Sequence, residues 1–439
     1  MKIFIVCLLI LLCLCGCGQK EHAQTETAPV TTEPISFEVS LPETAAEATM
    51  VFAQLSNGDL TPMYRWYVDG VLLPYATSEL LSIPVNAAGK QIYVTATLGD
   101  YTAKSQMLTV TECETEEIPM AAIAHSSKLY GRCGTGSTGL VLDFSASGIE
   151  MNVDSLGGDM TIACYAAYDM YVAVFVDGEQ TQRPMLTTGM SELVIPLDKG
   201  AHTVMVLKET EVNTSGYSLQ LLSMKLDGTV LEKPADRELF IEFIGDSIAC
   251  GDGSLGKFVS GQKWSLEDHS GTHGFAYLTA QNLNADWSVF ARGGIGLMKP
   301  AGKYTAGQMF NYVNLYRDEV TCYTPARIPN VVVVELGAND DKNDTAGFVA
   351  AYNALLDDIR ALYGDDVKIV WTGKNMNQYN AAQYVAGQRE DENMYAFRFD
   401  YGGSGSGALA TQTSGHPDAA EQQAFADALT AYLEKNVLI

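Results

Sequence analysis

Four short apolar runs in the C-terminal half of the chain each stop where a turn or a polar motif begins. The runs are 239–244 before Gly-Asp-Ser, 287–290 before Gly-Gly, 331–336 before Gly-Ala-Asn-Asp, and 367–371. Short apolar runs bounded by turns are typical of strands that are buried on both faces of a parallel sheet. Such sheets hold their ligands at the carboxyl ends of the strands, so the polar motifs are predicted to meet at one edge.

The segments around these runs have helical periodicity. One apolar stripe lies between the third and fourth runs, at Phe348, Ala351, Leu355, Ile359 and Leu362. A second stripe closes the chain, at Ala424, Phe425, Ala428, Leu429, Tyr432 and Leu433. Asp418 is the predicted N-cap of this last helix. Alternation of strands and helices predicts an α/β domain over residues 237–439.

The polar motifs have the residue types that acyl transfer requires. Ser247 is a candidate nucleophile, and His416, in the loop before the last helix, is a candidate base. Their separation, 416 − 247 = 169 residues, fits two ends of one α/β domain. Each motif is weak alone, since Ser247 and Asn339 can also be helix caps and His416 a surface residue. Their order, each after a predicted strand, favours a shared site.

This order resembles the four blocks of the SGNH (GDSL-type) hydrolases, which contribute Ser, Gly, Asn and His. The resemblance implies that Ser247 is the nucleophile and that its backbone N–H serves the oxyanion hole. Gly294 would supply a second N–H, with Gly293 as the alternative in the glycine pair, and Asn339 a side-chain N–H. His416 would act as general base and then as general acid.

One position departs from that family. Many members have an aspartate three residues before the histidine, and Thr413 occupies this position here. A backbone carbonyl can orient a histidine instead, because the orienting group fixes the tautomer and does not take the proton. The sequence therefore predicts a Ser–His dyad. His269 and His273, in a polar segment near the predicted cleft, are the alternative bases.

The N-terminal residues have the pattern of a secreted bacterial lipoprotein. An apolar run over residues 3–12 is too short to span a membrane and is typical of a signal peptide. It ends in Leu-Cys-Gly-Cys, which resembles a lipobox with Cys17 as the acylated residue; a signal peptide without lipid is the alternative. We expect residues 1–16 to be removed, residues 17–34 to be a flexible tether, and the protein to be anchored to the outer face of the cell membrane.

Short alternating strands fill the region between the tether and the α/β domain. Residues 35–112 have strand-like alternation with Asp-Gly and Gly-Asp turns, which predicts a β-sandwich. Trp66 resembles the core tryptophan of bacterial immunoglobulin-like modules, with sugar stacking as the alternative role. Residues 115–236 contain further short strands and Gly-rich turns, which are typical of a jelly roll or a similar sandwich.

Motifs in this second β segment narrow the resemblance. They are Val-Asp-Gly at 176–178, Gly-Ala-His-Thr-Val at 200–204 and Lys-Glu-Thr-Glu at 208–211. Followed by Gly-Asp-Ser, they look like carbohydrate esterase family 2. That family pairs an N-terminal jelly roll with an SGNH domain, deacetylates plant polysaccharides and is similar to this chain in lacking the usual aspartate. The resemblance covers about residues 120–439.

Charge and cysteine content set further limits. The chain has 27 Lys and Arg against 53 Asp and Glu, a net charge of −26, which argues against nucleic acid and anionic lipid as partners. Of nine cysteines, those beyond the N-terminal signal show no metal-binding spacing. We expect these five to be mostly buried small side chains: Cys113, Cys133, Cys164, Cys250 and Cys322. A Cys113–Cys133 disulfide is the alternative, and Cys250 is expected to pack in a helix after Ser247.

Together these patterns predict a multidomain chain, an immunoglobulin-like and a jelly-roll sandwich followed by an SGNH α/β domain. We expect a monomeric carbohydrate O-acetylesterase with no metal or organic cofactor, acting on acetylated polysaccharide or oligosaccharide. Trp264 is a candidate sugar-stacking residue, with simple packing as the alternative. The alternative functions are an esterase for the cell's own envelope glycans or for lipid or aryl esters, and a non-catalytic glycan-binding surface protein.

Overall fold

The structure is a computed structural model that describes residues 36–439 except 75, 114–116, 137–138, 212–218, 257–264, 315–321, 342, 374–375 and 400–415. The predicted signal and tether, Cys17, Trp264 and Thr413 lie outside the described residues. β strands make up most of the region before residue 231, and an α/β domain follows. No helix in the described part of the chain is both long enough and apolar enough to cross a membrane.

Ten strands lie in the described residues of the first β module. They are β1 (Val39–Ser40), β2 (Thr44–Ala46), β3 (Met50–Phe52), β4 (Gln54–Leu55), β5 (Met63–Val68), β6 (Val71–Leu73), β7 (Leu80–Ser82), β8 (Gln91–Leu98), β9 (Tyr101–Lys104) and β10 (Leu108–Thr111). Six of them form a sheet of order β2-β10-β8-β5-β6 with β9 against β8, and β1–β4 and β3–β7 are separate pairs. Trp66 on β5 is fully buried, and its Nε1 donates to the Ser78 carbonyl at 2.8 Å. The prediction of a core tryptophan is therefore confirmed.

The second β module consists of two antiparallel sheets with one short helix. Its elements are β11 (Ile118–Pro119), α1 (Met120–Ala124), β12 (Lys128–Tyr130), β13 (Gly134–Gly136), β14 (Gly139–Leu142), β15 (Gly148–Ser155), β16 (Gly158–Ala166), β17 (Met170–Val176), β18 (Glu179–Gln182), β19 (Met185–Leu186), β20 (Gly189–Leu197), β21 (Gly200–Lys208), β22 (Leu219–Lys225) and β23 (Gly228–Val230). One sheet has the order β13-β14-β22-β16-β20 and the other β12-β15-β21-β17-β18. Inward side chains of both sheets, such as Ile162 and Val206, share one apolar core.

The α/β domain is built on a five-stranded parallel sheet. Its elements are β24 (Phe240–Gly245), α2 (Phe275–Asn282), β25 (Asp286–Ala291), α3 (Ala306–Phe310), β26 (Val331–Glu335), α4 (Thr345–Tyr363), β27 (Lys368–Gly373), α5 (Met376–Arg389), β28 (Met394–Arg398) and α6 (Ala419–Asn436). The strand order is β25-β24-β26-β27-β28, and every pairing is parallel. The four predicted strands and the α/β class are confirmed, and β28 adds a fifth strand.

Two predicted helices have the expected inner faces with small differences. Phe348, Leu355 and Ile359 of α4 are buried as predicted. The Asp418 carboxylate accepts the N–H of Glu421 at 3.0 Å, which confirms Asp418 as the N-cap of α6. Ala424 is exposed, whereas Gln422 takes a buried position on α6.

The cysteine predictions need two corrections. In the described part of the chain Cys113 and Cys133 form no disulfide, so the alternative of a bridge between them is not realised. Cys133, Cys164 and Cys250 are buried as expected, but Cys322 is exposed. Cys250 does not lie in a helix, because residues 246–255 form bends and turns. The left-handed backbone of Gly251 and Gly253, with φ of +77° and +73°, is incompatible with a continuing helix.

A buried ion pair joins the second β module to the central sheet. Arg132, from the loop after β12, is fully buried and reaches Glu242 of β24, with Nε 3.2 Å from Oε1. The Tyr363 hydroxyl donates to Glu242 Oε2 at 2.6 Å and Ser288 Oγ to Oε1 at 3.2 Å. The guanidinium carbon lies 3.9 Å from the centre of the Phe290 ring. Every oxygen of the buried carboxylate therefore has partners, and the cation comes from the other module.

Replacing Arg132 by methionine is expected to lower the free energy of unfolding by about 3–5 kcal/mol, because Glu242 is then left buried without its cation. The measurement is the urea midpoint of the transition that exposes the α/β domain. Arg65→Met, the same change at an exposed position of β5, is the control and should shift stability by about 0.5 kcal/mol or less. Equal urea midpoints for the two variants would show that the Arg132–Glu242 ion pair does not contribute to the stability of the α/β domain.

Candidate functional site

The strand order brings three loops together at the carboxyl edge of the sheet. β24 lies between β25 and β26, so the loops after these strands carry Ser247, Gly294 and Asn339 to neighbouring positions. From β24 the chain continues to β25 on one side of it, and from β25 it crosses over to β26 on the other side of β24. Such a switch point is where open α/β sheets hold their ligands. Ser247 is 8% exposed there, at the start of the turns that follow β24.

His416 provides the base side of a nucleophile pair. Its Nε2 lies 2.7 Å from Ser247 Oγ, so the histidine can take the hydroxyl proton directly. The side chain comes from the segment just before α6, whose N-cap Asp418 fixes where the helix begins. Its Nδ1 is buried and has no acceptor among the described residues. Thr413 lies outside the described residues.

The two alternative histidines make other contacts. His269 is fully buried, and its Nδ1 lies 3.5 Å from Asp252 Oδ1. His273 Nδ1 is hydrogen-bonded to Ser270 Oγ at 2.8 Å. His416, and neither of these, is the histidine that hydrogen-bonds to Ser247 in the described part of the chain.

Asp252 places a carboxylate between two imidazoles. Its Oδ2 lies 3.7 Å from His416 Nε2, and its Oδ1 faces His269 at 3.5 Å. Asp252 is 8% exposed, in the turns after Ser247. The carboxylate thus lies beside the nitrogen that contacts the Ser247 hydroxyl. The carboxylate approaches Nε2 and not Nδ1, so it is not placed to orient the imidazole through Nδ1.

The two adjacent glycines after β25 have different roles. The N–H of Gly293 donates to Glu211 Oε2 at 2.6 Å, so this donor is already used. Gly294 has φ of +74°, a left-handed conformation that favours glycine. Among the described residues, the N–H groups of Gly294 and Ser247 have no acceptor. These two N–H groups are therefore the ones that can receive a developing oxyanion.

Asn339 and Asp340 hold the glycine loop in place. The Asn339 Nδ2 donates to Asp246 Oδ2 at 3.1 Å and to the Ile295 carbonyl at 2.9 Å. The Asp340 carboxylate accepts three successive backbone N–H groups, at 2.8–2.9 Å, from Leu297, Met298 and Lys299. Both hydrogens of the Asn339 amide thus have acceptors, and donation to an oxyanion requires one of them to be shared or released.

The second β module borders the site along one edge. Glu209, just after β21, is fully buried, and its Oε1 accepts from the Thr272 hydroxyl at 2.5 Å. Its Oε2 is paired with Arg183, whose Nη2 donates to the His269 carbonyl at 2.6 Å. These contacts connect the module to the segment that precedes α2.

Within the described ranges, no group of three or more His, Cys, Asp or Glu side chains is placed to hold a metal ion. The titratable groups at the site are instead arranged around Ser247. A hydroxyl paired with an imidazole, next to two N–H groups without acceptors, can carry out nucleophilic acyl transfer.

Comparison with known proteins relates the chain to one class of enzymes. Residues 129–234 match the family model for the N-terminal part of carbohydrate esterase 2. The chain is also similar to the cellulase/esterase CelE of Acetivibrio thermocellus, with 29% identity over 311 residues. The match includes 67% of this chain but 37% of that protein, so the chain spans little more than a third of its relative.

Solved structures show the same architecture. A family two carbohydrate esterase from Clostridium thermocellum, in complex with cellohexaose, is 26% identical with a TM-score of 0.63 and covers 71% of this chain and 98% of that one. An acetyl xylan esterase from the rumen bacterium Butyrivibrio proteoclasticus shares the fold, with 21% identity, a TM-score of 0.65 and coverage of 74% and 99%. The chain is thus homologous in sequence and structure to family 2 carbohydrate esterases.

Three acidic residues at the site were not predicted from the sequence: Asp252, Asp340 and Glu211. Asp340 directly follows Asn339 in the Gly-Ala-Asn-Asp motif. This position could have indicated that Asp340 holds the loops of the site. Asp252 lies in a Gly-Asp-Gly sequence five residues after Ser247, in a segment that was predicted to be helical. Glu211 acts across a module boundary, which no local pattern reveals.

Asn339→Ala is expected to lower the turnover of a small aryl acetate by about 10²–10³, because it removes a donor and releases the Ile295 carbonyl. The measurement is kcat at saturating substrate. Asn343→Ala is the matched control, an exposed asparagine in the same loop whose Nδ2 donates to Asp341. Wild-type turnover in Asn339→Ala would exclude a role for Asn339 in the reaction.

Proposed function

We propose that the protein is a carbohydrate O-acetylesterase of the SGNH type. The observation that carries the proposal is the 2.7 Å contact between Ser247 Oγ and His416 Nε2 at the carboxyl edge of the parallel sheet. The homology to carbohydrate esterases supplies the reaction class, ester hydrolysis on a sugar.

In the first step, Ser247 Oγ attacks the carbonyl carbon of the acetyl group while its proton passes to His416 Nε2. The carbonyl oxygen becomes an oxyanion, which accepts the N–H groups of Ser247 and Gly294 and a hydrogen of the Asn339 amide. The Asp252 carboxylate lies 3.7 Å from His416 Nε2 during the transfer. The tetrahedral intermediate then breaks its bond to the sugar oxygen, which takes the proton from His416 and leaves as a hydroxyl.

The second step reverses the roles of the two residues. Water attacks the acetyl group on Ser247 and gives its proton to His416 Nε2. The new tetrahedral intermediate uses the same oxyanion donors, and its collapse breaks the bond to Ser247 Oγ. His416 returns the proton to the serine, and the product leaves as acetic acid, which loses its remaining proton to solvent. The dyad is then ready for another turn.

The substrate class follows from charge and from the relatives. A formal net charge of −26 disfavours polyanionic substrates and suits a neutral glycan. One homologue was solved with cellohexaose, and another structure with the same fold is an acetyl xylan esterase. We therefore propose acetylated plant polysaccharide or its oligosaccharides as the substrate, with Trp264 as a sugar-stacking residue.

We assign the first β module to the immunoglobulin-like class and the second to the jelly rolls, in a monomeric protein.

We also propose that Cys17 is acylated and anchors the protein to the outer face of the cell membrane. The apolar run and the Leu-Cys-Gly-Cys sequence support it. In a bacterial host fed an alkyne-labelled fatty acid, the wild-type protein is expected to carry the label. Cys17→Ser should remove it, whereas Cys15→Ser should not. A label that persists in Cys17→Ser would contradict the proposal.

The test of function is acetate release from acetylated xylan and acetylated glucomannan by residues 30–439. Wild type is expected to release acetate, and Ser247→Ala to be slower by about 10⁴ or more. Ser40→Ala, a change at an exposed serine of β1, serves as the control. The Ser247→Ala and Ser40→Ala variants should both have the same unfolding temperature as wild type.

The alternative functions predict different results. Hydrolysis of a small aryl acetate without acetate from either polysaccharide would keep the chemistry and discard the plant substrate, leaving envelope glycans or other esters. Binding of cellohexaose without hydrolysis of any ester would instead indicate a glycan-binding protein.

A further inference from the structure

A carboxylate of the second β module contacts the loop that carries the proposed oxyanion donor. Glu211 follows β21 by three residues, and its Oε2 accepts the N–H of Gly293 at 2.6 Å. Gly293 belongs to the α/β domain, two residues after β25. A charged acceptor at this length makes a strong hydrogen bond to a backbone N–H. The contact therefore fixes the peptide that immediately precedes Gly294.

Glu211 is itself held by its own module. Its backbone carbonyl accepts from Lys208 Nζ at 2.8 Å and from the Tyr168 hydroxyl at 2.6 Å. Lys208 is fully buried and also donates to the Thr210 carbonyl. Burial lowers the pKa of Lys208 to about 7, an effect opposed by the carboxylates of Asp143 and Glu211. Because the backbone of Glu211 is held by its own module, its side chain can fix the position of the Gly293 peptide.

The glycine pair fits this contact. A Cβ at Gly293 would overlap the carboxylate of Glu211, so the first glycine permits the close approach. The second, Gly294, supplies the left-handed turn with φ of +74°. The far side of the same loop is held by Asn339 at Ile295 and by Asp340 at residues 297–299. Glu211 holds the beginning of the loop at Gly293, next to the bond from the Arg292 N–H to the Gly245 carbonyl.

We propose that Glu211 is a positioning residue that orients the Gly293–Gly294 peptide so that the Gly294 N–H faces the substrate carbonyl. The inference rests on the proposed function, and it makes the second β module a part of the active site. The role is indirect, since Glu211 touches the loop and not the reacting atoms. Loss of the contact lets the donor move away from the position that the transition state requires.

Two variants at this position separate positioning from charge. Glu211→Ala removes the acceptor and is expected to lower kcat for 4-nitrophenyl acetate by about 10- to 100-fold with KM within about twofold. Glu211→Gln keeps an oxygen that can accept the Gly293 N–H and is expected to restore kcat to within about threefold of wild type. Glu192→Ala, an exposed glutamate on β20, is the control for the substitution itself.

Amide hydrogen exchange of residues 293–299 provides a readout that does not depend on activity. Exchange at Gly293 and Gly294 should be faster in Glu211→Ala and close to wild type in Glu211→Gln. Wild-type kcat in Glu211→Ala overturns the inference, and so does a Glu211→Gln variant that is as slow as Glu211→Ala. If wild type itself hydrolyses no ester, the proposed function fails, and exchange alone decides: unchanged rates at Gly293 and Gly294 overturn the positioning role, and faster rates support it.

Discussion

The buried charge of Glu242 is the constraint on which the arrangement of modules depends. A carboxylate buried in an inner strand of a parallel sheet loses its hydration and requires a cation and hydrogen-bond donors. The α/β domain supplies donors from Ser288 and Tyr363, but the cation is Arg132 of the second β module. Because β24 also leads to Ser247, the strand that presents the nucleophile is stabilised from outside its own domain.

The polar residues near the nucleophile mostly hold loops rather than touch a reacting atom. Asp246 accepts the Ile248 N–H and an Asn339 hydrogen, and Asp340 binds three consecutive N–H groups. Loops of this kind have no regular hydrogen bonding of their own, and side-chain acceptors replace it. The Ser247–His416 pair therefore sits among loops whose backbone is fixed before substrate arrives, which is what oxyanion stabilisation requires.

The sequence predicted the features that are encoded locally and missed those made at long range. Apolar runs stopped by glycine gave the strands β24 to β27, and Asp418 gave the start of α6. β28 was not predicted, and its apolar residues 394–397 are only partly buried. The turns after Ser247 were taken for a helix, although Gly251 and Gly253 argue against one. The contact between Glu211 and Gly293 joins residues 82 positions apart, so no local pattern of apolar and polar residues in the sequence could predict it.

The stacking of Tyr130 on Trp287, with ring centres 3.8 Å apart, crosses the same boundary as the Arg132 pair. Proteins exchange modules in evolution at connections that few contacts cross. This boundary is of the opposite kind. A recombination event there would separate Glu242 from its cation and Trp287 from its stacking partner at one stroke. We therefore expect the second β module and the α/β domain to be inherited together in evolution. Other modules are then expected to be gained or lost before or after this pair and not between its two members.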